Sequence, residues 1–300
     1  MKSIDVSLKT KNEAQNFVLQ CEDIFSTELD NAVKFVASSD NSKVITLSGP
    51  TCSGKTTTAE KLTEHLTSNG KRVVVISIDD FFLDRDMRNS VEGEAPDYDT
   101  VKAIDLDYFA YFTDRLLKGK SVLIPKYDFS QTSRVGYHEY IPSDNDIYVF
   151  EGIQAVYPEI SSLLGNHQSL FISVQNDIEY NGNVIRKNDI RLLRRVVRDY
   201  LFRGATAEFT LHLWEGVRAN EEENIFPNAT ECSVKIDSCL SYEPFILSRY
   251  ALPLLETVPS DSRYRFEAEN LMKKIAVFSN ENFEDCMIPR NSVFREFIGK

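Results

Sequence analysis

Residues 49–57 read GPTCSGKTT, and this run restricts the possible folds more than any other feature of the chain. It fits G-x-x-x-x-G-K-[ST] in full, with Gly49, Gly54, Lys55 and Thr56 at the fixed positions. The glycines allow backbone conformations and close approaches that a Cβ would forbid. The N–H groups along Gly49, Thr51, Ser53, Gly54 and Thr57 then turn inward and, with the start of a helix, bind phosphate oxygens. Lys55 brings a point charge to the outer phosphates, and the Thr56 hydroxyl is placed to ligate Mg²⁺. The surroundings support the motif. VITLS (44–48) reads as a buried strand, 55–68 as a helix ended by Asn69-Gly70, and RVVVISI (72–78) as a second strand. Strand, loop, helix, strand implies a right-handed unit and a parallel sheet, hence an α/β fold that binds a nucleotide. Switches, motors and kinases all use this loop, so it does not by itself imply transfer.

The rest of the chain allows one α/β domain with appendages. Helices are expected over 11–38, 106–119, 188–203, 244–257 and 262–276, and mostly helical chain runs up to Pro227. Strands are expected at 121–125, 146–152, 169–174 and 232–238, with KYDFSQTSRVGYHEY as a loop or hairpin and the last segment as a strap. We divide the chain into a helical appendage (1–40), a core with lid (41–230) and a C-terminal extension (231–300). A formal net charge of -12 argues against coating nucleic acid or an anionic membrane, because phosphate backbones reward Lys and Arg excess. The five cysteines show no C-x-x-C spacing, and no signal peptide core or long apolar run occurs. A cytoplasmic protein is the expectation, with a homo-oligomer left open.

Transfer to a small alcohol needs a carboxylate at the attacking hydroxyl, an acid near Mg²⁺, and cations over the transferred group. Asp79 and Asp80 fall where the strand RVVVISI ends, at the sheet edge where open parallel sheets bind ligands. One of the two is the base candidate, with helix capping as the alternative. Glu151 ends IYVFE in the same way and could hold the metal or its water. Arg191, Arg194, Arg195 and Arg198 recur at three- and four-residue steps and share a helical face; with Arg203 they suggest a lid. Trp214 reads as core packing, Cys52 as a small loop residue, and Glu221, Glu222 and Glu223 as a solvated face. The histidines lack metal-ligand spacing.

GPTCSGKTT, SIDDFF, PKYDF, VFEGI and RLLRRVVRDYLFRG, in this order, resemble the uridine kinase and phosphoribulokinase family of P-loop kinases. Later stretches (WEGVRANEEENIFP, SCLSYEPFIL, IPRNSVFREFIG) resemble its bacterial uridine kinase-like subgroup. The resemblance implies a three-layer α/β/α fold with a parallel sheet, an arginine-bearing lid and a helical C-terminal extension. It also implies Mg-ATP or GTP as donor and a nucleoside 5′-hydroxyl as acceptor. It assigns Asp79 as base, Asp99 to the sugar and metal side, Tyr127 to packing near the base, and Arg134 to the substrate. Glu151 matches the acid of the EGI motif, and Arg195, Arg198 and Arg203 match arginines of the substrate and lid region. Asp80 stands beside the base candidate on the substrate side. Two departures concern the acceptor. Thr132 stands where a histidine usually reads the pyrimidine, and Ala205 where an arginine is common. A threonine can neither stack nor carry charge, so base recognition should be weaker or directed elsewhere. Kinases of other small alcohols, and a nucleotide-binding regulator, are the competing readings. A guanine switch would carry Asn-Lys-x-Asp, which is absent from the chain.

Overall fold

The computed structural model describes residues 1–38, 42–84 and 100–299. The chain opens with β1 (Lys2–Ser3) and a long helix, α1 (Lys11–Ala37). A reciprocal cap starts α1: the Thr10 hydroxyl accepts from the Glu13 N–H at 3.2 Å, and the Glu13 carboxylate accepts from the Thr10 N–H at 2.9 Å. Next come β2 (Val44–Ser48), α2 (Lys55–Ser68) and β3 (Arg72–Ser77), which ends in a tight turn over Ile78–Phe81. After α3 (Leu106–Leu117), β4 (Val122–Asp128) and β5 (Ser133–Tyr140) pair antiparallel. Then follow β6 (Asp146–Glu151), the single turn α4 (Pro158–Ser161) and β7 (Gln168–Ser173). A small hairpin of β8 (Ile178–Tyr180) and β9 (Asn183–Ile185) leads into α5 (Lys187–Arg203) and α6 (Ala207–Asn220). The chain closes with β10 (Val234–Asp237), α7 (Glu243–Glu256), α8 (Arg265–Ala276) and the one-turn α9 (Arg295–Ile298).

The central sheet is parallel in the order β10-β7-β2-β6-β3. Alternation along its strands divides the core. Ile45, Leu47, Val149, Leu170, Ile172 and Ile236 face α1, α2 and the α5–α9 segments. Val44, Ile76, Tyr148, Phe150 and Phe171 face α3, α4 and the β4–β5 hairpin. The expected α/β/α layering is therefore present, with helices on both faces of a parallel sheet. Register fixes the site. Glu151 lies opposite both Leu47 of β2 and Ser77 of β3, so β2, β3 and β6 end together. The loop after β2, the turn after β3 and the acid ending β6 all emerge at that edge.

The strand expected at 121–125 runs on to Asp128, and the segment read as a loop or hairpin is a hairpin whose second strand, β5, has eight residues. A three-stranded sheet β1-β8-β9 was not anticipated, because strands of two or three residues carry no readable period.

Candidate active site

The phosphate loop is built as its glycines require. Gly54 sits at φ +93, and a Cβ there would stand 2.3 Å from the Val293 Cγ2. A Cβ on Gly49 would fall 2.1 Å from the Ile172 carbonyl oxygen. The loop is packed against Ile172 on one side and Val293 on the other. Helix α2 starts at Gly54 and buries Thr58, Ala59, Leu62 and Leu66 along one stripe. Lys55 folds back, its Nζ donating to the Gly49 carbonyl at 2.9 Å and the Pro50 carbonyl at 3.3 Å. Among the described residues the Ser53 Oγ is buried without a hydrogen-bond partner. A bare polar atom inside a cradle that excludes Cβ atoms fits a phosphate group.

Two arginines of α5 brace this loop from behind. The Arg191 Nε donates to the Thr51 carbonyl at 3.1 Å, and the Arg194 Nη1 to the Cys52 carbonyl at 2.9 Å. Each is fully buried and paired, Arg191 with Glu221 and Arg194 with Glu243. The stripe expected to act together as a lid therefore divides: Arg191 and Arg194 point into the core. Glu221, read as solvated, is buried as the partner of Arg191 and Arg218. Trp214 is core, with the Arg191 guanidinium 5.3 Å from its ring centroid. The end of α5 differs. Among the described residues Asp199 pairs with Arg195, Arg198 and Arg203, at 3.3, 2.8 and 3.5 Å, so one carboxylate is shared by three guanidinium groups there. Arg198 and Arg203 lie within electrostatic reach of Cys52 in the loop.

Glu151 is a strongly perturbed acid. Burial pushes its carboxyl up to about 7, opposed by Lys55 and reinforced by Asp79, Glu296 and Asp80. The charges of the cradle lysine and of both acids after β3 are thus felt at one carboxylate. A cavity of about 450 Å³ runs from Thr56 and Glu151 along α2, past Glu60, Thr63 and Glu64, to Val75 on the edge strand. The Thr56 hydroxyl and the Glu151 carboxylate share its wall, a donor set that suits a hard divalent cation. The raised carboxyl has a consequence in metal-free protein. Its folded value lies above the ordinary 4.5, so the folded state holds the proton longer. Stability is then greatest below that value and falls as pH rises toward about 7. At 1.36 kcal/mol per unit the loss is about 3 kcal/mol. In EDTA, Glu151→Gln should become more stable than wild type by up to that amount between pH 5 and pH 8. Parallel urea-unfolding curves across that range would contradict it.

The acceptor-side residues behave differently from one another. Asp80 accepts from the Tyr127 N–H at 3.0 Å and so ties the hairpin to the turn after β3. Tyr127 is buried, edge-on to Phe82 and Phe129. Arg134 pairs with Asp105 at 2.8 Å and donates to the Phe81 and Phe82 carbonyls. Asp79 occupies the turn itself. Thr132, in the hairpin bend, has φ 51, a left-handed backbone that disfavours a β-branched residue. Asp99 lies outside the described residues. The last segment was read as a strap or tail of an extension packed on the core, with no part in the site, yet the Thr57 hydroxyl stands 3.4 Å from the Glu296 carboxylate. Its apolar spacing (Val293, Phe294, Phe297, Ile298) was the available signal for docking.

The model of the family described as "Phosphoribulokinase / Uridine kinase family" matches residues 44–240, more than half of the chain. The chain belongs to this family. It is 31% identical over 188 residues to uridine-cytidine kinase A of Dictyostelium discoideum, covering 62% of this chain and 34% of that one. The chain thus spans about a third of that relative's length. It is 28% identical over 194 residues to the uridine kinase of Halobacterium salinarum, covering 64% of this chain and 78% of that one. It is also 29% identical over 203 residues to the inorganic pyrophosphatase TTM2 of Arabidopsis thaliana, covering 67% of this chain and 26% of that one. Among the described residues no helix is long and apolar enough to cross a membrane.

Proposed function

We propose that this chain is a kinase that moves the γ-phosphoryl group of ATP or GTP to the 5′-hydroxyl of a pyrimidine nucleoside. The observation that carries the reading is that β2, β3 and β6 end together beside the phosphate loop, where the charges of Lys55, Asp79 and Asp80 all reach the buried Glu151 carboxylate. Asp79 accepts the proton of the attacking hydroxyl as its oxygen bonds to the γ-phosphorus and the bond to the bridging oxygen breaks. Lys55 leaves the Gly49 and Pro50 carbonyls for the outer phosphates. Arg195, Arg198 and Arg203 share Asp199 and retain charge to set against the transferred group. Thr56 and Glu151 would hold Mg²⁺, which supplies charge neutralisation when bound. Asp80, Tyr127 and Arg134 shape the acceptor side through the hairpin, with Asp99 assigned there by resemblance. Residues 41–230 carry most of this machinery, 231–300 add the edge strand β10 and the Glu243 carboxylate behind the loop, and 1–40 are an appendage.

A screen of nucleosides and other alcohols with Mg-ATP, read by ADP release, tests the reading. Uridine and cytidine should be turned over. Turnover of another alcohol alone would favour the second reading, which Thr132 supports: the hairpin offers one hydroxyl where a base-reading imidazole is common. ATP binding without turnover of any acceptor would favour a regulator. Lys55→Ala should weaken ATP binding by roughly 10- to 100-fold, the range for a hydrogen bond to a charged group, and lower kcat as well. Equal affinity for ATP in the variant and wild type, by calorimetry, would remove Lys55 from the cradle.

A further inference from the structure

The C-terminal segment reaches the phosphate loop and is held there firmly. Val293, Phe294 and Phe297 are fully buried, and Val293 packs where a Cβ on Gly54 would lie. The Phe297 ring covers the Arg194 guanidinium at 4.7 Å, the same group that holds the Cys52 carbonyl. Arg295 donates to the carbonyls of Asp285, Ile288, Pro289 and Gly299. Ser292 bonds Glu22 of α1 at 2.5 Å. Within α9 these contacts commit Arg295 and Phe297, Ile298 is buried, and Glu296 is left half-buried and turned to the cradle. Its carboxylate accepts from the Thr57 hydroxyl at 3.4 Å, and its charge is felt by Arg198 and Glu151.

A carboxylate is an acceptor only and is repelled by phosphate, so the part of a nucleotide it can bind is one that donates. Its position narrows the choice. Phosphates bind the N–H groups of the loop, whereas among the described residues Glu296 takes a hydroxyl and no loop N–H. The carboxylate therefore stands beside the anion hole, not in it. Thr57 is one residue beyond the metal-side Thr56, rotated about 100° around the helix axis. The ribose hydroxyls donate, and the sugar is one ester link from the innermost phosphate, closer along the molecule than a base amino group. We propose that Glu296 accepts the ribose hydroxyls of the phosphoryl donor, so that the C-terminal segment forms the outer wall of the nucleotide site. This rests on the donor-binding reading above.

The test compares ATP, 2′,3′-dideoxy-ATP and inorganic tripolyphosphate binding to wild type, Glu296→Ala and Glu296→Gln by calorimetry. Wild type should bind ATP more tightly than the dideoxy nucleotide by roughly tenfold or more, as a charge-assisted hydrogen bond gives. Glu296→Ala should lose that preference, binding the dideoxy nucleotide and tripolyphosphate as wild type does, and Glu296→Gln should retain part of it. In turnover the loss should appear in KM for ATP and not in KM for the acceptor. Tighter ATP binding by Glu296→Ala would instead mark the carboxylate as an obstruction, and equal losses for all three ligands would mark a structural role. Either result overturns the inference while leaving the kinase reading intact. A wild type that binds no nucleotide overturns both.

Discussion

Asp79→Asn should bind Mg-ATP within about threefold of wild type and turn over its acceptor roughly a thousandfold more slowly, the range of a lost general base. The substitution keeps size and shape and removes the proton acceptor. Asp79 sits in the turn over Ile78–Phe81, where β3 ends opposite Glu151, so its charge is felt at the cradle without forming it. Asp80 supplies the contrast. Its carboxylate accepts from the Tyr127 N–H at 3.0 Å, a bond that an asparagine oxygen can keep. Asp80→Asn should therefore lose less than about tenfold, since the net worth of such a bond is only about 1 kcal/mol. Single-turnover rates with saturating ATP separate the two. A fast Asp79→Asn beside a dead Asp80→Asn would exchange their roles. If both were fast, the base would have to be sought outside the turn.

The parts of this site that were legible in the sequence are those whose geometry is local. The loop, its helix and its strand occupy residues 44–68, and each glycine is explained by atoms the loop must approach. Asp79 and Glu151 were legible because strand ends are legible and parallel strands end together. The arginines of α5 were harder. Spacing correctly puts Arg191, Arg194, Arg195 and Arg198 near one another, but spacing cannot tell a solvated face from a buried one. The partners that decide it, Thr51 and Cys52 in the loop and Glu221 and Glu243 beyond it, lie 30 to 142 residues away. A buried guanidinium needs a carboxylate, and no local rule names which one. Glu221 was misread for the same reason. The approach of Glu296 to Thr57 spans 239 residues, and only the apolar pattern around it hinted that the tail docks at all.

Arg194→Ala should be the most destabilising substitution near the site, by about 3–5 kcal/mol, the cost of stranding the other half of a buried ion pair. Glu243 has no exposure, and its two oxygens take the Arg194 Nε at 2.6 Å and Nη2 at 2.5 Å. The same guanidinium also donates to the Ser238 carbonyl at 2.6 Å and to the Cys52 carbonyl at 2.9 Å. Stability and site geometry are therefore joined in one group, and a double substitution separates them. Arg194→Met with Glu243→Leu removes both charges and keeps most of the volume. Exchanges of this kind are often neutral or stabilising, so most of the loss should return. The Cys52 carbonyl would still lack its donor, and the loop would lose the brace that fixes its curvature. The double variant should thus unfold near the wild-type urea midpoint yet bind ATP at least roughly tenfold more weakly, the worth of one charge-assisted hydrogen bond. If ATP affinity returned together with stability, Arg194 would serve the core alone, and the curvature of the phosphate loop would have to be held by Arg191 through the Thr51 carbonyl.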